Sequence, residues 1–315
     1  MENGKKETKE TKETKGMASV VAALAANLLV AASKFTGYAL SGSAAMLNES
    51  IHSVVDCGNQ ALLLAGDKMA GLKASAEHPF GHARAKYFFS TVVAMMLFFG
   101  GGALGIMEAA EKLAHPAHGI DNGALVIAIL AFGIVVESAS LRVAFREIRE
   151  LNKGGLPLFK FLRRSRHSEI LIIFAEDSCA VLGLLLALGG TGLTMATGNG
   201  FYDAFSGLLI GILLCAAAVW LAVEFYSLTV GESVTPEDLA TISKAFSVPA
   251  VERLIDAKTI HMSPTDILIC AKIDIKDGMW EEAPAVINSI EAEIRAALPA
   301  YKAYIYIEVD RYAAR

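Results

Sequence analysis

The chain has 315 residues, of which 54% are hydrophobic and 19% charged, with a formal net charge of -5. A mean hydropathy of +0.46 lies where several membrane spans are expected, which sets aside a wholly soluble chain. Nothing in the charge balance calls for a nucleic-acid partner, and Cys57, Cys179, Cys215 and Cys270 stand far apart without a CxxC pair. A disulfide framework or structural zinc ribbon is therefore not expected, and each cysteine reads as a small buried apolar residue.

Residues 1–16, MENGKKETKETKETKG, form a mixed-charge, low-complexity run that reads as a disordered tail. No short apolar core of a signal peptide follows it, and its balanced acids and lysines, without arginine, differ from a mitochondrial transit peptide. Six apolar segments come next, at about 17–40, 44–72, 87–113, 123–144, 168–196 and 201–229. Each meets or exceeds the ~20 residues a helix needs to cross a bilayer. Joints such as Ser41-Gly42-Ser43 and Gly198-Asn199-Gly200 separate consecutive pairs.

Basic residues set the orientation. They gather in the tail, in the second-to-third connection (Lys73, Arg84, Lys86) and between Arg142 and Arg166, whereas the three opposite loops have little beyond Lys112. The positive-inside rule places both termini in the cytoplasm. A bacterial inner membrane is the expected residence.

From about residue 230 the composition becomes that of a soluble domain. Thr235-Pro236-Glu237-Asp238 starts a helix as a capping box with Pro in the first turn. Strands are expected at 251–260, 266–275 and 303–309, with an amphipathic helix at 283–298. This α-β-β-α-β order suits a small open sheet with helices on one face. The expected organisation is a tail (1–16), a six-helix membrane domain (17–229) and a cytoplasmic domain (230–315).

The chemistry concentrates in Asn48-Glu49-Ser50-Ile51-His52-Ser53-Val54-Val55-Asp56. At helical pitch His52 and Asp56 share a face, with Glu49 three residues earlier on nearly the same one. Ionisable groups at membrane depth cost several kcal/mol unless paired, hydrated or metal-bound. A His/Asp pair at i, i+4 offers nitrogen and oxygen donors suited to a divalent transition metal. The plain alternative is a polar patch near a helix end, hydrogen-bonded to its neighbours.

Further acids fall in the other segments: Glu176 and Asp177 mid-way along the fifth, Glu137 in the fourth, Glu108 in the third and Asp203 at the start of the sixth. Acids on so many segments point to a cation pathway. Structural roles are the alternative for several of them, with Lys34 paired to an acid, Asp203 capping its helix and Glu108 near the far interface. In the loop Glu77-His78-Pro79-Phe80-Gly81-His82, His78 and His82 are either a second metal site or two solvated histidines. His115 and His118 read as loop residues.

Six helices, the His-x-x-x-Asp, the acid on the fifth helix, the His-Pro-Phe-Gly-His loop and a ferredoxin-like terminal domain together resemble the cation diffusion facilitator family, in its ninth mammalian zinc-transporter branch. The matching stretches are Ile51-His52-Ser53 with Asp56, Glu176-Asp177 with Ala180-Val181-Leu182-Gly183, and Thr197-Gly198-Asn199 with Tyr202-Asp203. The resemblance implies a homodimer that exports Zn²⁺ in exchange for H⁺, with the ion as cargo, no cofactor and no enzymatic activity. It implies a site of His52 and Asp56 from the second helix and Asp177 from the fifth. Four residues before Asp177, where the family has His or Asp, stands Ile173, so the fourth ligand falls to Glu176, Glu137, Glu49 or water. In the terminal domain only His261, with Glu308 and Asp310, is left for regulatory zinc.

The linkage follows from donor chemistry, because metal binds only deprotonated imidazole and carboxylate and so competes with protons. Rivals are the same fold carrying Fe²⁺, Mn²⁺ or Co²⁺, an intramembrane metalloenzyme with Glu176 as base, and a non-transporting scaffold.

Overall fold

A computed structural model describes residues 27–115, 120–152 and 154–312. The expected tail, the start of the first apolar segment, His118 and Lys153 lie outside the described residues. Helix α1 occupies residues 27–41. It is followed by α2 (Ala44–Ala70), α3 (Ala85–Ala114), α4 (Gly123–Leu151), α5 (Leu158–Arg164), α6 (Ser168–Thr197) and α7 (Phe201–Val230). Then come α8 (Pro236–Ala245), β1 (Val251–His261), β2 (Asp266–Ile275), α9 (Ala283–Ala297) and β3 (Lys302–Val309).

Among the described residues, α3, α4, α6 and α7 are long and apolar enough to cross a membrane. With 27 residues α2 has the length, but Asn48, Glu49, His52, Asp56 and Asn59 make it too polar. Large apolar side chains such as Leu29, Met107, Val135 and Val223 point outward from α1, α3, α4 and α7, a surface that needs apolar surroundings.

Two features depart from the expected segments. The fourth helix runs on to Leu151 because its extension carries solvated helix formers that pair one turn apart, Arg146 Nε with Glu150 Oε1 at 3.1 Å. The short helix α5, which follows Pro157, had no strong periodic signal; its Leu162 is fully buried.

Contacts divide the chain into two compact units. Of the described residues, one holds those up to Ala65, within Phe89–Gly155 and within Glu169–Val223; the other holds those within Gly66–Phe88 and Leu156–Ser168 and from Glu224 onward. In the first unit, close packing depends on glycines. A Cβ at Gly102 would lie 2.4 Å from Cys215 Sγ, and one at Gly211 would lie 2.9 Å from the backbone nitrogen of Ile106. Backbone-to-backbone approach of α3 and α7 therefore requires bare positions. Gly102 sits in a π-helical turn, Leu97–Ala103, that interrupts α3.

The second unit centres on a mixed sheet of order β1-β2-β3, with β1 antiparallel to β2 and β2 parallel to β3. Alternation along β2 sends Ile267, Ile269, Ala271, Ile273 and Ile275 into a core with Ile242 and Phe246 of the α8 region and Ile290 and Ile294 of α9. Cys270 consequently lies on the opposite face and is exposed, contrary to the expectation of a buried thiol. Thr235 caps α8 as expected, its Oγ1 accepting from the Asp238 N–H at 3.1 Å. Phe80, from the His-Pro-Phe-Gly-His loop, meets Tyr304 of β3 edge-on at 5.3 Å. Arg166 ion-pairs with Glu232, and Arg84 Nη2 donates to the Thr229 carbonyl at 2.6 Å.

Candidate metal centre

Helix α2 is fixed from its first turn. Gly42, with φ of +65°, takes the left-handed conformation that ends α1. The Ser43 hydroxyl accepts from the Met46 N–H at 3.0 Å and donates to Asp203 Oδ1 at 2.5 Å, while Asp203 Oδ2 accepts from the Ala44 N–H at 2.6 Å. Asp203 thus caps α2 rather than its own helix, placing a carboxylate against the positive end of the neighbour. Deeper in, Asn48 Nδ2 donates to the carbonyls of Gly207 at 2.7 Å and Gly105 at 3.3 Å. A Cβ at Gly105 would come within 2.8 Å of Asn48 Oδ1. Asn48 therefore pins α2 to α3 and α7 and fixes the rotation of the residues that follow.

That rotation turns Glu49, His52, Ser53, Asp56 and Asn59 inward. Glu49 and His52 are fully buried. Glu49 Oε2 accepts from Lys34 Nζ of α1 at 3.0 Å, and Glu137 Oε1 of α4 stands 4.0 Å from the same ammonium. His52 Nδ1 approaches Asp56 Oδ1 to 3.4 Å, yet neither atom makes a hydrogen bond. His52 Nε2, Ser53 Oγ and Asn59 Oδ1 are likewise buried without partners.

On α6 the two acids part, as a ~100° step requires. Glu176 is buried and its Oε1 accepts from Asn59 Nδ2 at 2.5 Å. Asp177 Oδ2 accepts from the Ser140 hydroxyl of α4 at 2.8 Å. The carboxylates of Asp56, Glu137, Glu176 and Asp177 are near enough to act on one another's charge. Ile173 is exposed and contributes no donor. Among the described residues no three His, Cys, Asp or Glu side chains are already drawn together as an ion-holding group. The donors instead line a seam between α2, α4 and α6. Asn59 and Ser140 were not expected, since a neutral amide or hydroxyl in an apolar run carries no signal of its partner.

The remaining candidates stand apart. His78 and His82 have ring centroids 4.2 Å apart at 36°, within a turn where the Ser75 hydroxyl accepts from the His78 N–H. Glu108 pairs with Lys112 at 3.5 Å. His115 closes α3. His261 is buried with Nδ1 3.2 Å from the Ser263 carbonyl, and its burial holds the imidazole below the usual histidine range. Glu308 and Asp310 bind Lys272 instead, at 3.3 and 2.6 Å. The sheet register puts these acids near Ile273, away from the His261–Ile267 end, so the three do not form one site.

Residues 20–228 match the cation efflux transmembrane domain. Proteins named proton-coupled zinc antiporter SLC30A9, mitochondrial, are similar to this chain: 32% identity over 261 residues in Xenopus laevis and 31% over 261 residues in Homo sapiens. Each match covers 82% of this chain and 46% of the relative. Metal tolerance protein C4 of Arabidopsis thaliana is 27% identical over 265 residues, 83% of this chain and 57% of that protein. The chain spans about half the length of these curated relatives. With four helices among the described residues fit to cross a bilayer, and with two thirds of its length matched by one domain, the chain belongs to the cation efflux, or cation diffusion facilitator, family of membrane transporters.

Proposed function

We propose that this protein is a secondary transporter that moves Zn²⁺ out of the cytoplasm in exchange for H⁺, with the ion held by His52, Asp56 and Asp177 and Glu176 as fourth donor. The observation that carries the reading is the pair of unpartnered nitrogens on fully buried His52, beside an unpartnered Asp56 oxygen. Leaving such groups without hydrogen bonds costs about 1–3 kcal/mol each, and a divalent ion returns it. The imidazole gives the set enough nitrogen character to favour zinc over magnesium or calcium. Zinc is cargo here, not a cofactor.

Proton coupling rests on competition at the donors. Imidazole and carboxylates bind zinc only when deprotonated, so protons arriving from the far side displace the ion. Opening alternately to either side would expose the seam between α2, α4 and α6 without rebuilding it. In this reading all six helices α1–α4, α6 and α7 span the bilayer. Both termini and a ferredoxin-like terminal domain lie in the cytoplasm of a bacterial cell, and two protomers pair. The names of the similar zinc antiporters support both cargo and coupling.

The test is zinc flux into proteoliposomes under an imposed pH gradient, wild type beside Asp177→Ala, with Fe²⁺ and Mn²⁺ as competitors. Gradient-driven zinc flux, lost in the variant, is the expected result. Iron or manganese flux without zinc flux would keep the fold and overturn the cargo. No flux of any metal in folded protein would return the enzyme and scaffold readings.

A further inference from the structure

The transport reading leaves the buried ammonium of Lys34 without a task. A lysine at membrane depth is expensive unless paired, and Lys34, 1% exposed, has two acids at hand. Glu49 Oε2 is 3.0 Å from Nζ and Glu137 Oε1 is 4.0 Å away. Its stem runs past Gly133 of α4, where a Cβ would lie 3.8 Å from Lys34 Cε. The other Glu49 oxygen is closed in as well. A Cβ at Gly183 of α6 would sit 2.4 Å from Oε1, so the carboxylate lies against bare helix backbone. Glu49 is thus held between an ammonium and a helix, while three residues further along α2 neither His52 nitrogen makes a hydrogen bond.

We propose that Lys34 is a specificity-determining resident cation, which withholds Glu49 and Glu137 from the transported ion. The inference rests on the transport reading and refines its donor set. With the ammonium in place, the ion meets one imidazole and the carboxylates of Asp56, Asp177 and Glu176. Without it, two more hard oxygen donors face the same space, and an oxygen-rich set accepts Mn²⁺, Mg²⁺ and Ca²⁺. A fixed positive charge on the same set of acids also opposes entry of a second divalent ion. Removing only the lysine leaves a buried, unpaired carboxylate, which must recruit a cation or a proton.

The experiment measures equilibrium binding of Zn²⁺ and Mn²⁺ to full-length protein in detergent, with a monodisperse elution profile as the sign of folding. Lys34→Gln is expected to lower the Mn²⁺ concentration that halves zinc binding by about tenfold or more, and Lys34→Arg to behave as wild type. The triple variant Lys34→Gln/Glu49→Gln/Glu137→Gln, which removes the ammonium and both withheld carboxylates, is expected to restore the wild-type preference. Unchanged Mn²⁺ competition in folded Lys34→Gln would overturn the proposal. Should that variant not fold, Glu49→Gln decides. Zinc affinity within about threefold of wild type supports a withheld Glu49, and loss of zinc binding makes Glu49 a ligand and overturns it. Wild-type protein that binds no zinc would overturn the transport reading itself, a separate result from loss confined to the Glu49 variant.

Discussion

On the terminal sheet, Lys272 sits between Glu308 and Asp310, and on the neighbouring helix α9 Arg295 pairs with Glu291 one turn away at 2.8 Å. On α2, by contrast, Asn48, Glu49, His52, Ser53, Asp56 and Asn59 each keep a buried polar atom without a hydrogen bond. The sheet unit has isolated cases, such as His261 Nε2 and Arg166 Nε, but no run of them. Charges on the sheet lie at an exposed surface where water and a neighbour satisfy them cheaply. A row of unsatisfied donors and acceptors on a single helix is a different matter. In the proposed reading, passage of an ion is what keeps it.

Breaking the α2 seam should have the largest effect. His52→Ala removes the nitrogen donor and should weaken zinc binding by about 100-fold or more, read by competition against a chelating dye. Next come the side chains that orient the acids. Ser140→Ala and Asn59→Ala should each cost about 10–100-fold in zinc affinity through Asp177 and Glu176, with thermal unfolding little changed. Variants that bind as wild type would show that these hydrogen bonds do not position ligands.

The sheet unit should respond in stability and not in binding. Thr235→Ala deletes the α8 cap and should cost about 1 kcal/mol, measured by thermal denaturation, with zinc affinity unaffected. The smallest effect belongs to His261. Its folded-state affinity for protons is depressed by burial, so the unfolded chain binds more protons below the ordinary histidine range near ~6.5. Stability should therefore be complete above that pH and fall as pH drops through it towards the lower folded value. His261→Gln should flatten the profile over that window; an unchanged slope would assign it to other groups.

The sequence made the periodic and the charged features legible. Alternation from Ile267 to Ile275 marked β2 and its core face, and the spacing of His52 and Asp56 marked the inward face of α2. Lys34 was identifiable as a lysine in need of an acid, but not with which acid, because Glu49 and Glu137 are equally plausible at the level of sequence. Asn59 and Ser140 were invisible, since their value lies in acids far along the chain. Asp203 was placed at a helix start correctly, yet which helix it caps depends on how α7 meets the Ser43 turn. The π turn in α3 holds Gly102 against Cys215, a tertiary contact that local propensity does not announce.

The most direct measurement of the ion site is X-ray absorption at the zinc edge of zinc-loaded protein, wild type beside His52→Ala. Nitrogen and oxygen neighbours only are expected, with an imidazole signature that disappears in the variant. Sulfur at about 2.3 Å, from Cys57 or Cys179, or an imidazole signature that survives His52→Ala, would contradict that expectation.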